Sequence, residues 1–266
     1  MEFLNKMKIS RNLGLSIDAA LKAGESIVEI YNSNNFESTL KNDNSPITNA
    51  DLISHKSIVD VLRSTGLPIV SEESDQIPYN IRRKWKLFWM IDPLDGTKEF
   101  LKKNGEFTVN IALIKNQIPI LGVVYAPIFN IIYFAEKTIG SFVAKDFKNI
   151  NEILDKSIKM PCSKNLTNEY RVVTSSSHLD EETKSHIDKL KNKKNKLKIL
   201  KIGSSLKICL LAEGRADYYP RFNPIMEWDI AAAFAILIYS EVKVKTNINY
   251  FNQKSMLIPK SSFQIT

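Results

Sequence analysis

An apolar run that ends abruptly in two carboxylates constrains this chain more than any other feature: Trp89-Met90-Ile91-Asp92-Pro93-Leu94-Asp95-Gly96-Thr97. The run reads as a buried strand. Two carboxylates fixed three residues apart at its end repel each other unless a cation lies between them. Pro93 stiffens the backbone so that both side chains and the Leu94 carbonyl can face one point, and Gly96 lets the chain turn tightly out of the strand. Thr97 then opens a short helical turn, whose N–H groups suit a phosphate held against the same cations. An Asp-rich turn would use the same letters, because Asp-Pro and Asp-Gly steps mark turns. The choice rests on the remaining acids.

The 266 residues suit one large or two small domains with a substantial core. No run approaches the ~18 apolar residues of a membrane helix, and the longest, Ile230 to Tyr239, reads as a core helix. Met1 to Met7 has an acid at position two and no apolar centre, so it is not a secretory signal. The chain is therefore expected in the cytoplasm, with peripheral attachment to the cytoplasmic face of the inner membrane left open. Cys162 and Cys209 alone imply neither a disulfide framework nor a zinc site.

The excess of 37 basic over 29 acidic residues gives a formal charge of +8, which favours anionic partners. Much of it lies in Lys189 to Lys198, a stretch that reads as solvated surface and lacks aromatics for base stacking. Nucleic acid is thus not expected as a partner. Glycine is scarce at nine residues, so Gly96, Gly105, Gly122 and Gly203 are expected at turns or beside the candidate site.

Leu13, Ile17, Ala20, Leu21, Gly24, Ile27, Val28 and Tyr31 recur at helical spacing and predict a long amphipathic helix. After a polar loop from Asn32 to Pro46, Thr48 to Asp51 has the form of a capping box that opens a second helix ending at Gly66. Leu67 to Val70 reads as a short strand. Period-two runs at Leu87 to Ile91, Phe107 to Ile114, Ile120 to Tyr125 and Ile131 to Ala135 predict an antiparallel meander. Beyond it the pattern alternates. Strands are expected at Tyr170 to Thr174, Leu197 to Ile202, Ala216 to Tyr219 and Val242 to Lys245, and helices at Asp180 to Lys191, Ser205 to Ala212 and Asp229 to Tyr239. The divide falls between Thr138 and Glu169, giving an N-terminal half, 1–145, with two helices on a sheet, and a C-terminal α/β half, 146–266. There is no internal repeat, no GxGxxG and no GxxxxGK[ST], which disfavours a dinucleotide fold and a P-loop.

Other acids have both dull and functional explanations. Ser71-Glu72-Glu73 comes after a short apolar strand, so Glu72 could be presented as Asp92 and Asp95 are, or could belong to a solvated acidic loop. Asp229 could serve as a helix N-terminal partner, yet Trp228 before it and Ala231 to Ala233 after it suggest a helix packed closely on another layer with its first acid turned inward. Asp51 is explained locally by the capping box. Hard cations take oxygen ligands and keep several waters, so a few carboxylates from separate loops suffice.

The segments DPLDGTKEF (Asp92 to Phe100) and EWDIAAAFAIL (Glu227 to Leu237) resemble the signatures of the inositol monophosphatase superfamily of magnesium-dependent, lithium-sensitive phosphatases. Asp43 to Asp51, Asn104 to Leu113, Gly122 to Pro127 and Ile202 to Lys207 are similar to its bacterial 3'(2'),5'-bisphosphate nucleotidase branch. The resemblance runs from about Leu13 to Phe263 and is weakest between Lys145 and Asn168. One segment departs from it: the family carries a glycine-rich turn after the Asp229 helix, where this chain has Ile238-Tyr239-Ser240-Glu241-Val242.

The resemblance implies an αβαβα layered α/β fold, with two or three Mg2+ ions on Glu72, Asp92, Asp95, Asp229 and the Leu94 carbonyl. It implies that Asp51 and Thr97, with Glu72, activate the attacking water. The substrate would be adenosine 3',5'-bisphosphate, hydrolysed to AMP in the service of sulfate assimilation, with 3'-phosphoadenylyl sulfate as a further substrate. Besides Glu72, Leu94, Asp95, Gly96, Thr97 and Asp229, its contacts would be Ser175, His178, Gly203, Ser204, Lys207 and Arg221. Gly203-Ser204-Ser205 sits between a strand and a helix and is either an anion cradle or an ordinary connecting turn. The protein would act as a monomer or homodimer. The rivals are a broad inositol or sugar phosphate phosphatase on the same acids, and a basic nucleic-acid-binding protein using Lys189 to Lys201.

Overall fold

The computed structural model describes residues 7–33, 38–40, 46–163, 169–177, 179–194 and 196–266. Asp43 to Ser45, within one of the family-like segments, and His178, a candidate nucleotide contact, lie outside the described residues. A small antiparallel hairpin, β1 (Ser38–Leu40) and β2 (Pro46–Thr48), precedes two sheets. The larger sheet has seven strands in chain order: β3 (Ile69–Ser71), β4 (Leu87–Asp95), β5 (Thr108–Lys115), β6 (Ile118–Ala126), β7 (Ile131–Glu136), β8 (Gly140–Lys145) and β9 (Ile158–Lys159). All neighbours are antiparallel except β3 and β4, which run parallel.

Both faces of this sheet are covered, which is why β4 to β6 are nearly continuous in apolar residues. On one face Trp89 and Ile91 of β4 pack with Leu13, Ile17, Ala20 and Ile27 of α1 (Arg11–Ser33) and with Ile58 and Leu62 of α2 (Asn49–Leu62). On the other, Phe88 and Met90 join a second core with α7 (Leu206–Ala212) and α8 (Glu227–Ile238). The alternation comes from the two-residue period of a strand. Helix α8 is buried from Ile230 through Leu237, as a helix between two layers must be.

The second sheet lies beyond α7 and α8. Its strands β10 (Tyr170–Ser175), β11 (Leu197–Ile202), β12 (Tyr218–Arg221), β14 (Val244–Thr246) and β16 (Ser261–Ile265) are ordered β11-β10-β12-β16-β14. The first three are mutually parallel, and β16 is antiparallel to both β12 and β14. A two-stranded ladder of β13 (Ile225–Met226) and β15 (Leu257–Ile258) lies just before α8. Helix α6 (Glu181–Lys191) closes the stack, its His186 ring against Tyr218 and Phe222. Short helices α3 (Tyr79–Arg82), α4 (Thr97–Leu101) and α5 (Ile150–Lys156) and a 3-10 turn (Arg63–Thr65) after α2 complete the described elements.

The layers are thus α, β, α, β, α. Three features add to the sequence reading. The first sheet continues past residue 145 through β9 to Lys159, because α5 and the short strand after it return to its edge. The second sheet is mixed, since β16 enters between β12 and β14. After α8 the turn is made without glycine: Glu241 takes a left-handed φ of +66° while buried Ser240 donates through its hydroxyl to the Leu237 carbonyl. Among the described residues no helix is long and apolar enough to cross a membrane.

Candidate active site

The acidic motif at the end of β4 is shaped by a bulge. In the ladder with β5, Asp92 faces Asn110 and Asp95 faces Thr108, so β4 carries one more residue than its partner between them. In an unbroken strand, residues three apart point to opposite faces; the extra residue re-aims the second one. Asp92 and Asp95 consequently line one cavity of about 240 Å3 together with Leu94. The turn is pinned from behind, where the buried Ser54 hydroxyl of α2 donates to the Pro93 carbonyl at 2.7 Å. Gly96 comes next with φ of +99°, a conformation that favours glycine, and hands the chain to Thr97 at the start of α4.

The parallel pairing of β3 with β4 delivers Glu72. Ser71 is in register with Ile91, and the Glu72 amide donates to the Ile91 carbonyl at 3.2 Å, which sets Glu72 beside Asp92. Asp229 arrives from α8, where its Oδ2 accepts the Met226 amide at 3.2 Å in a capping box. Glu72, Asp92 and Asp229 each present an oxygen within 4.8 Å of the others.

Without a cation Asp92, Asp95 and Asp229 resist ionisation. Burial first, then the charges of Glu72, Asp95, Asp229 and Asp51, hold Asp92 well above the usual carboxylate range. Burial and the charges of Asp95 and Glu72 do the same to Asp229, against the pull of Arg221. Asp95 is pushed up to about 6, by burial first and with Lys207 opposing. Closely set, mutually repelling oxygen donors, whose charge Lys207 and Arg221 offset only in part, fit a hard divalent cation.

Asp51 belongs to α2 and is buried. Its Oδ2 accepts both the Thr48 amide, at 2.7 Å, and the Thr48 hydroxyl, at 2.6 Å, while Thr97 Oγ1 donates to its Oδ1 at 3.3 Å. The capping box and the Asp51–Thr97 pair therefore coexist: one carboxylate oxygen caps the helix and the other holds the hydroxyl.

The same cavity is lined by Ser175 at the end of β10, Ser204, Ser205 and Lys207, and Arg221 at the end of β12. Lys207 is buried and donates to the Ser204 carbonyl at 2.6 Å. Arg221 donates to the carbonyls of Asn223 and Pro224. Gly203, expected as a substrate contact, does not line the cavity. Its amide donates to Glu106 Oε2 at 2.8 Å, and a Cβ on it would come within 2.6 Å of the Glu106 carbonyl oxygen. Ser205 instead reaches inward, its hydroxyl donating to the Asp229 carbonyl at 2.5 Å.

Sequence reasoning missed several residues here. Buried Glu99, on α4, and Tyr219, on β12, both line the cavity. Glu99 was within reach, since it lies three residues after Gly96 in the same motif. Glu106 ties Gly203 to the Ser176 hydroxyl at 2.8 Å, and nothing local signals a bond across so much chain.

This fold and this acidic cavity define a class: residues 10–238 match the model of the inositol monophosphatase family, and the chain belongs to that family. Its relatives narrow the comparison. The 3'(2'),5'-bisphosphate nucleotidase CysQ of Buchnera aphidicola is 43% identical over 87% of this chain and 84% of its own length. The enzyme of that name from Salmonella typhimurium is 38% identical over 93% of this chain and 96% of its own length. The crystal structure of CysQ from Bacteroides thetaiotaomicron, a bacterial member of the family, has 41% sequence identity and a TM-score of 0.85, covering 96% of this chain and 97% of that one.

Proposed function

We propose that the protein is a Mg2+-dependent phosphatase that hydrolyses the 3'-phosphate of adenosine 3',5'-bisphosphate to AMP and phosphate. The observation that carries this reading is a single cavity lined both by a carboxylate cluster and by Lys207 and Arg221. The carboxylates suit cations and the reacting phosphate; the two basic side chains suit a second anionic group. The likeness to named bisphosphate nucleotidases over most of the chain supports the substrate.

Glu72, Asp92, Asp95, Asp229 and the Leu94 carbonyl would hold the Mg2+ ions. Such ions, when bound, neutralise the carboxylates, acidify a water and offset charge on the phosphoryl oxygens. In this reading Thr97 Oγ1 orients the water and passes its proton to Asp51 Oδ1, which accepts the Thr97 hydroxyl at 3.3 Å. The water oxygen bonds to phosphorus as the bond to the 3'-oxygen breaks, and that oxygen takes a proton from a solvent water as it leaves, the hydroxide so formed being neutralised by the proton Asp51 returns to solvent. The N–H groups at the start of α4 face the phosphate across Gly96. His178 would add a nucleotide contact. 3'-Phosphoadenylyl sulfate carries the same 3'-phosphate and is proposed as a second substrate.

Phosphate release from adenosine 3',5'-bisphosphate and from inositol 1-phosphate, measured side by side with Mg2+ and with EDTA, tests the proposal. Magnesium-dependent preference for the nucleotide is expected, and Asp95→Asn should nearly abolish it. Preference for the inositol ester would discard the substrate assignment.

A further inference from the structure

The four acids are not held equally. Asp92 and Asp95 sit on β4, an interior strand hydrogen-bonded on both sides. Glu72 comes just after β3, the edge strand, and leads into the connection that ends in α3. Behind this connection is a cavity of about 380 Å3, bounded by Gln76 and Ile77 on one side and by Met226, Trp228 and Met256 on the other. Direct packing therefore does not fill the space between the Glu72 segment and the start of α8.

A buried polar chain spans it instead. Arg82, the last residue of α3, donates to Asn252 Oδ1 at 2.6 Å and to the Lys254 carbonyl at 2.8 Å. Asn252 Nδ2 returns a bond to the Arg82 carbonyl at 2.9 Å. Glu227, the first residue of α8, accepts the Asn252 amide and, at 2.8 Å, the Gln253 amide. The Glu227 amide donates to the Met256 carbonyl at 2.9 Å. Arg82 and Asn252 are each 4% exposed and Glu227 is 0% exposed. Asn252 itself is held at φ of +68°, a conformation that asparagine tolerates better than most residues.

We infer that Arg82, Asn252 and Glu227 form a latch that positions the Glu72 connection against the first turn of α8, and so sets the separation of Glu72 from Asp229 and the affinity of the cation site. The inference rests on the reading that these acids hold a divalent cation. Apolar side chains of similar volume would serve stability at least as well as a buried guanidinium and carboxylate. Fully satisfied buried hydrogen bonds add a single fixed geometry. Geometry is what a cation shared by two separately anchored segments requires. The latch residues are positioning residues: none of them lines the acidic cavity.

The experiment is calorimetric titration of Mg2+ into the metal-free full-length protein, with kcat at saturating Mg2+ measured alongside. Arg82→Met removes the guanidinium bonds to Asn252 and Lys254, Asn252→Gly removes both side-chain bonds between Asn252 and Arg82, and glycine accepts the left-handed backbone at position 252 without strain. Loss of partners that orient ligands typically weakens metal affinity ~10–100-fold. That weakening is expected in both variants, with kcat recovering towards wild type at high Mg2+. Glu227→Gln, which keeps an acceptor for one amide, should fall between. Ser141→Ala, which removes a 2.6 Å bond to the Ile236 carbonyl at the far end of α8, should lower stability without changing Mg2+ affinity. Should Arg82→Met fail to fold, Asn252→Gly decides. Mg2+ affinity within about twofold of wild type, with only the melting temperature reduced, would overturn the latch. No uptake of Mg2+ by the wild type would overturn the cation reading and the latch's role with it.

Discussion

Replacing Gly122 by alanine tests whether helix-to-sheet packing fixes Asp229. Gly122 lies within β6 and not at a turn, and a Cβ there would stand 2.2 Å from the Ala232 carbonyl oxygen and 2.9 Å from the Ala235 Cβ. Ordinary contact begins near 3.4 Å, so α8 must move off the sheet by about 1 Å. The obstacle is helix backbone, which cannot rotate aside. Overpacking of this kind costs about 1–3 kcal/mol. At ~2–4 °C per kcal/mol for a chain of this size, the melting temperature should fall by roughly 2–12 °C. Asp229 precedes Ala232 by less than one helical turn and would be carried along, and a misplacement of ~1 Å can cost ~100-fold in turnover. Gly24→Ala gives the contrast. It lies on α1, against the opposite face of the sheet, where a Cβ would meet the Tyr125 ring at 2.3 Å, far from α8. It should destabilise with turnover largely retained. Thermal melts and phosphate-release rates on both variants suffice. Gly122→Ala with turnover within about twofold of wild type, or Gly24→Ala losing turnover equally, would refute the reasoning.

The electrostatics of the cavity give two further outcomes. In the metal-free protein the folded-state values of Asp92, Asp95 and Asp229 are raised, so the fold binds more protons than the unfolded chain. Stability is then fully present below the unfolded value of ~4 and is lost as pH rises through the raised folded values, about 6 for Asp95. The melting-temperature gain from saturating Mg2+ should therefore be larger at pH 8 than at pH 5.5 by differential scanning fluorimetry; a gain independent of pH would contradict this. Lys207→Met should raise KM for adenosine 3',5'-bisphosphate ~10–100-fold, as loss of a charge-assisted contact does, and change KM for a substrate with one phosphate far less. Equal effects on both would remove Lys207 from the second anion's contacts.

Local physics made much of this protein legible in its letters. Helix α1 is encoded in the spacing of Leu13, Ile17, Ala20 and Ile27, and α2 opens at Thr48 because a threonine with an acid three residues on satisfies two helix-end amides within one turn. The meander from β4 to β7 is encoded in period-two apolar runs, and the carboxylate pair marks the end of β4. These signals act over a few residues, so sequence carries them whole.

The tertiary structure decided whatever involves partners far apart in the chain. The bulge that aims Asp92 and Asp95 to one side is a property of the ladder with Thr108 and Asn110, and neither strand announces it alone. The Gly203 amide is engaged by Glu106, so Lys207, Ser204 and Arg221 are left to face the cavity. Glycine at position 122 answers to the backbone of α8, and the latch at Arg82 answers to Asn252, 170 residues away. Sequence determined which acids exist and which elements carry them. Only long-range packing, register and buried hydrogen bonding determined that they converge, because those terms depend on distances that no local pattern encodes.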